Sequence, residues 1–397
     1  MNNYNSEMAL SFAIIGLFGI TAHYIFTKLR LPGFLGILFL GIAIGPHALN
    51  WIDESILIAS EDLRKIALII ILLRAGMGLH RQTLKMVGAP AIRLGFIPVL
   101  FEGFMVLFVA WYFWDLGFVE AGMLGFILAA VSPAVIVPKM LSFIDRGKGS
   151  EKGIPTMILA GASLDDVVAI TIFSAFAGFY GGQQVNITVQ VLSIPVAVIT
   201  GVTLGIVIAF ILLWIFRKFE TRNTKKVLII LGAAILLTTL ESVQSLIPLA
   251  SLLGVMVIGF IILEKEQKTA VDLSSKLNKS WIFAEIILFT LVGAEVDIFL
   301  ALEAGVAGLL IITAGLLARS VGVMASLFKT GFSFKERFFC ILAYSPKATV
   351  QAAIGSVPMA MGVPGGDVIL TIAVLSIVVT APLGAIATSF AGERILK

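Results

Sequence analysis

The chain has 397 residues, of which 59% are hydrophobic and 13% are Asp, Glu, Lys or Arg, and its mean hydropathy is +1.06. A water-soluble domain is nearer half apolar and a quarter charged, so this composition excludes an ordinary soluble fold and predicts an all-α polytopic membrane protein. The net charge of +4 sits in loops and gives no basic patch for nucleic acid, and the single Cys340 excludes an internal disulfide framework and most cysteine-based metal sites.

Apolar runs of membrane-crossing length predict about thirteen helical spans. They lie near 8–28, 33–50, 62–80, 90–114, 120–142, 153–180, 189–216, 226–244, 247–263, 280–297, 303–328, 336–360 and 367–391. The first has no basic segment ahead of it and no small-residue cleavage site, so it reads as a retained helix rather than a signal peptide. The loops alternate in charge. One set carries Lys28 and Arg30, then Arg81 to Arg93, Lys139 to Lys152, Arg217 to Lys226, Lys265 to Lys279 and Lys329 to Arg337, and the tail adds Arg394 and Lys397. The opposite set, including the stretches near 114–120, 181–186 and 241–245, is nearly free of Lys and Arg. Its one exception is Arg64 with Lys65, diluted by Asp53, Glu54, Glu61 and Asp62. Basic loops stay cytoplasmic, which puts the N-terminus outside and the C-terminus inside.

Short motifs recur at a nearly constant interval. "LGILFLG" (Gly36, Gly41) matches "LGVMVIG" (Gly254, Gly259), and "LLRAGMGL" aligns with "TLVGAEVDI" through Gly76 and Gly293. Ser132-Pro133 aligns with Ser345-Pro346. Each match carries a span onto the one seven further along, leaving the seventh as a linker helix. An odd shift reverses the direction of entry, so the two six-helix units form an inverted-topology repeat, a common secondary-transporter plan. The repeats cover about 8–180 and 226–391, with the linker at about 189–216.

Both Ser-Pro pairs fall at mid-membrane, where proline removes a donor and pushes the preceding residue out of helical geometry. Pro138 follows Pro133 closely. Two broken helices crossing each other are the expectation, since irregular backbone at that depth must be buried in protein or line a cavity.

Few ionisable residues lie inside the spans. Glu102 and Arg319 occupy equivalent helices of the two repeats and read as one opposite pair. Glu295 and Lys347 read as another. Each charge at a helix centre costs about 2.5–3.5 kcal/mol on insertion scales, which pairing offsets in part. A bracing role and a transport role both fit these pairs. "GASLDDVVAI" differs, because Asp165 and Asp166 stand side by side in an otherwise apolar run. Adjacent helical positions point about 100° apart, so the two cannot share one partner. The expectation is that Asp165 leans on a cation such as Arg319 or Lys347 while Asp166 faces a wet cavity, although the motif allows the reverse. Desolvation and a like-charged neighbour both favour the protonated form of such a carboxyl. A group that holds either a proton or a hard monovalent cation, never both, is what proton-coupled antiport requires. No P-loop, H-E-x-x-H or G-x-S-x-G is present, so the expectation is a secondary transporter with no catalytic residues and no cofactor.

The segments "LLRAGMGL", "AAVSPAVIVPKML", "EKGIPTMILAGASLDDVVAIT", "LVGAEVDI" and "SPKATVQAAIGSV" span residues 72 to 357. In them the chain resembles the paired-aspartate branch of the monovalent cation/proton antiporter superfamily, and within it a bacterial homologue of the NHA-type sodium/proton exchangers. The resemblance implies exchange of Na+ or Li+ for H+, with Asp165 and Asp166 as the ion-site (Na+-binding) aspartates and Glu102, Arg319, Glu295 and Lys347 as supporting charge pairs. It implies unwound stretches at Ser132-Pro133 and Ser345-Pro346, an elevator-like alternating-access movement, a lipid-embedded homodimer and residence in a bacterial inner (plasma) membrane. The ion-binding core would be about 62–180 and 280–391, and the dimerisation domain about 8–50 and 189–263. Better-known members resemble this chain except for a lysine where it has Arg319. Arginine does not release its proton, which predicts one-for-one, electroneutral exchange. Alternatives are a K+/H+ antiporter and, from another class, a cation channel or efflux-channel subunit.

Overall fold

A computed structural model describes residues 4–29, 31–114, 116–181, 187–219, 222–243 and 247–396. Arg30, Lys397 and parts of the loops near 115, 182–186 and 244–246, all used above to orient the chain, lie outside them. Among the described residues every regular element is a helix.

The first repeat comprises α1 (Tyr4–Lys28), α2 (Gly33–Ile44), the short α3 (Glu54–Ile58), α4 (Ser60–Gly76), α5 (Arg81–Phe113), α6 (Phe118–Ala129), α7 (Pro133–Asp145) and α8 (Ile154–Tyr180). The linker is α9 (Ile187–Lys218). The second repeat comprises α10 (Asn223–Val243), α11 (Ser251–Lys265), α12 (Gln267–Ala294), the short α13 (Ile298–Glu303), α14 (Gly305–Ser326), α15 (Phe334–Ala343), α16 (Thr349–Ile354), α17 (Val357–Ala360) and α18 (Gly366–Ile395). Among the described residues nine stretches are long and apolar enough to cross a membrane, with α6 and α7 counted together, so the chain is a multi-pass integral membrane protein.

Every predicted span falls on a helix or on a helix interrupted once or twice, with some boundaries corrected. The second predicted span runs to residue 50, but α2 stops at Ile44 because Gly45 precedes Pro46 and takes an extended conformation (φ −69°, ψ 173°). The twelfth divides into α15, α16 and α17 around the Ser345-Pro346 break.

The helices pack in two groups. α1, α2, α4 and α9 to α12 lie against one another, and α5 to α8 with α13 to α18 surround the helix breaks. The groups touch mainly through α8 on α9 and α4 on α7. The sequence division placed residues 62–80 and 280–297 with the core, yet α4 and α12 pack on α11 and α2. The repeated glycines explain why. A Cβ on Gly41 would strike the Thr290 carbonyl, and one on Gly293 would strike Leu38 and Ile42, so α2 and α12 meet backbone to backbone. Gly259 against Leu73 and Gly76 against Met256 do the same for α11 and α4. Small residues that admit close approach are the usual cement of helix pairs in lipid. The motif therefore recurs because each repeat docks its glycine helix onto the other repeat.

Candidate ion-binding site

The centre of the second group is built from two interrupted helices. α6 ends at Ala129, Ala130 and Ser132 are extended, and α7 restarts with Pro133 at its first position, where a missing N–H costs nothing. In the other repeat α15 ends at Ala343 and α16 restarts at Thr349 after Ala348 (φ −161°, ψ −77°). The unwound segments cross in contact. Ser132 N donates to Pro346 O at 2.9 Å, and the Ser132 and Thr349 hydroxyls lie 3.5 Å apart.

Two helix C-termini thus expose carbonyls in the protein interior, and these need donors. Arg319 of α14 supplies most of them. Its Nη1 donates to Ala129 O at 2.5 Å and its Nε to Tyr344 O at 2.5 Å. The same guanidinium reaches Glu102 Oε2 through Nη1 at 2.6 Å and Asp165 Oδ1 through Nη2 at 2.8 Å. A cation at paired helix C-termini is also favoured by their dipoles. Gln351 Nε2 completes the coverage, donating to Ile127 O and Ala130 O at 2.9 Å each.

Lys347, 1% exposed, donates from Nζ to Glu102 Oε2 at 2.6 Å. One Glu102 carboxylate oxygen therefore receives both cations. Asp165 is fully buried and doubly held, by Arg319 and by the backbone N–H of Val131 at 2.9 Å. The Asp166 side chain forms no hydrogen bond among the described residues, and its buried Oδ1 has no partner. The cluster thus sets two cations, Arg319 and Lys347, against three carboxylates. With all five ionised, one negative charge is left over, and it falls on the carboxylate without a partner.

Asp166 lines a cavity of about 680 Å³ between the two helix groups. Its walls come from α4 (Glu61, Arg64, Lys65), α8 (Ser163, Asp166), the ends of α9 and α10 (including Glu241), the start of α11, and the first residues of α7 and α16, Pro133 and Thr349. A second cavity, of about 270 Å³, lies at the opposite face, by the start of α2 and the first half of α7, and reaches Pro346. Among the described residues none lines both, so the crossing separates them.

A profile of the transmembrane sodium/hydrogen exchanger family matches residues 12–393. The chain belongs to that family. Sodium/hydrogen exchanger 9B2 of Homo sapiens is 35% identical over 387 residues, covering 92% of this chain and 70% of the human one. Sodium/hydrogen exchanger 9B1 of Homo sapiens is 32% identical over 388 residues, covering 92% and 73%. The sodium proton antiporter MjNhaP1 of Methanocaldococcus jannaschii has the same fold, with a TM-score of 0.78 over 98% of this chain and 99% of its own at 22% identity.

Within this exchanger fold the predicted site residues fall into two places. Ser132, Pro133, Ser345, Pro346, Glu102, Asp165, Asp166, Arg319 and Lys347 all meet at the crossing. Glu295 does not. Its expected pairing with Lys347 is corrected, because Glu295 caps the end of α12 and takes a bidentate bridge from Arg64 of α4 (2.6 and 2.7 Å), while Lys347 turns to Glu102. Arg64, with Lys65, is the exception to the charge rule in the sequence. It is buried and paired rather than a free loop charge. Gln351, four residues after Lys347, was also missed. A polar residue one helical turn past a mid-membrane break was the available signal.

Proposed function

We propose that the chain exchanges Na+ or Li+ for H+ across the membrane, with Asp166 as the carboxylate that carries either ion. The leftover charge carries this reading. Arg319 and Lys347 balance Glu102 and Asp165, so neutrality at the crossing requires one further positive charge, and a proton or one monovalent cation supplies it. Exchange is then one-for-one and electroneutral, because Arg319 keeps its proton throughout. Hydroxyls of Thr349 and Ser163 line the same cavity and offer the oxygen ligands that a hard cation prefers.

Access alternates by movement of α5–α8 with α13–α18 against a frame of α1–α4 and α9–α12. The cavity reaching Asp166 lies along the boundary between these groups, and a slide of one along the other carries Asp166 toward the second cavity. The frame is the surface through which two copies form a homodimer in the lipid, and the basic-loop face is cytoplasmic.

The test is ion-driven dequenching of a pH dye in proteoliposomes, comparing sodium, lithium and potassium. Sodium and lithium should each dissipate an imposed proton gradient, and Asp166→Asn should abolish the response. A silent wild type, or an Asp166→Asn protein as active as wild type, would overturn the proposal. A response to potassium alone would replace the substrate.

A further inference from the structure

Glu285 lines the second cavity, outside the charge cluster at the crossing, and nothing so far accounts for it. It projects from α12 on the frame side, facing Val135, Lys139 and Pro346 of the opposite group across the gap. Its carboxylate forms no hydrogen bond or ion pair among the described residues. The surrounding cations are otherwise engaged. Arg74 of α4, the charge that acts on it most, donates to Asp145 Oδ2 of α7 at 2.8 Å. Lys139 rests over the Phe143 ring at 5.0 Å. α2 contributes no ionisable residue to this wall, and His23 of α1 is turned against Gly33 at its edge.

A carboxylate at membrane depth is costly unless something compensates it, and such residues by default mark an ion path. The place of Glu285 suits that role. When Asp166 is exposed to the first cavity, the second is closed off by the crossing. When the mobile group slides, the ion held on Asp166 must leave through the second cavity, whose frame wall offers the Glu285 carboxylate, free of hydrogen bonds and ion pairs among the described residues.

We infer that Glu285 is a second, transient site for the transported monovalent cation, receiving it from Asp166 at the basic-loop face and releasing it to water. This rests on the antiport reading above. The direction reverses when the cation enters from that face. Glu285 then raises the local cation concentration at the narrow end of the cavity.

Glu285→Gln and Glu285→Asp should be compared with wild type in everted and in right-side-out membrane vesicles, which present opposite faces to added sodium. Glu285→Gln should raise the apparent sodium KM by about tenfold at the basic-loop face, the size of one lost contact to a charged group. The KM at the other face should stay unchanged, and Glu285→Asp should recover most of the loss. An unchanged KM at both faces, or an equal rise at both with lowered kcat, overturns the inference. With an active wild type it alone falls, whereas a silent wild type removes the antiport reading and this inference together.

Discussion

The two adjacent aspartates should respond oppositely to the same substitution. Asp165 accepts two hydrogen bonds, from Arg319 Nη2 at 2.8 Å and Val131 N at 2.9 Å, and is fully buried. Asp165→Asn breaks a buried ion pair, taking from Arg319 one of the two carboxylates it bridges, a change that costs about 3–5 kcal/mol. The apparent melting midpoint in detergent should fall by about 5 °C. Asp166→Asn removes a buried charge with no partner on Oδ1, so the midpoint should hold or rise in sodium-free buffer. Sodium should separate the two further. At ten times its dissociation constant it stabilises wild type by about 1.4 kcal/mol, a shift of a few degrees, and this increment should vanish in Asp166→Asn. The assay is a thermal melt with and without sodium, choline replacing the cation. Equal losses for the two variants, or a sodium-dependent shift surviving in Asp166→Asn, would refute the division into a held and a free carboxylate.

Other outcomes follow from the same geometry. Arg319→Lys should lower the melting midpoint, because a point ammonium with three donors cannot span Ala129 O, Tyr344 O, Glu102 and Asp165 as the guanidinium fork does. Its antiport should also become sensitive to an imposed membrane potential in proteoliposomes, while wild type stays insensitive. A clear potential dependence of the wild-type rate ends the electroneutral proposal. Asp145→Asn removes the Arg74 bridge between α4 and α7, whose acid is 60% exposed, so its stability effect should be small. Maleimide labelling of a cysteine placed at Ser389 should nevertheless quicken as the second cavity opens, and no change would show that the bridge is not a latch. Gly259→Ala should destabilise the frame, since a methyl would collide with the Leu73 carbonyl and Met77 N, whereas Gly232→Ala meets open space and should be silent. Similar midpoints for these two variants would discount the glycine contacts.

The span pattern, the inverted repeat and the two helix breaks were legible because each rests on local physics. Membrane-length apolar runs, Gly45 before Pro46, and proline at mid-membrane leave marks in the order of residues. The adjacency of Asp165 and Asp166 likewise determined that they cannot share a partner, since helical geometry separates them wherever the helix lies. The partner of each charge was decided only by the tertiary structure. Matching positions across repeats paired Glu102 with Arg319 correctly, because the equivalent helices α5 and α14 pack together. It gave no means of seeing that Glu102 takes Lys347 as well, or that Glu295 goes to Arg64 at the far end of α12. Grouping also escaped the sequence. α4 and α12 look like core spans by their position in the chain, yet glycine contacts between backbones bind them to α11 and α2. Periodicity and composition report what one segment needs from its surroundings. Which of several distant segments meets that need depends on how close two backbones can come, and that is settled only when all the helices are packed at once.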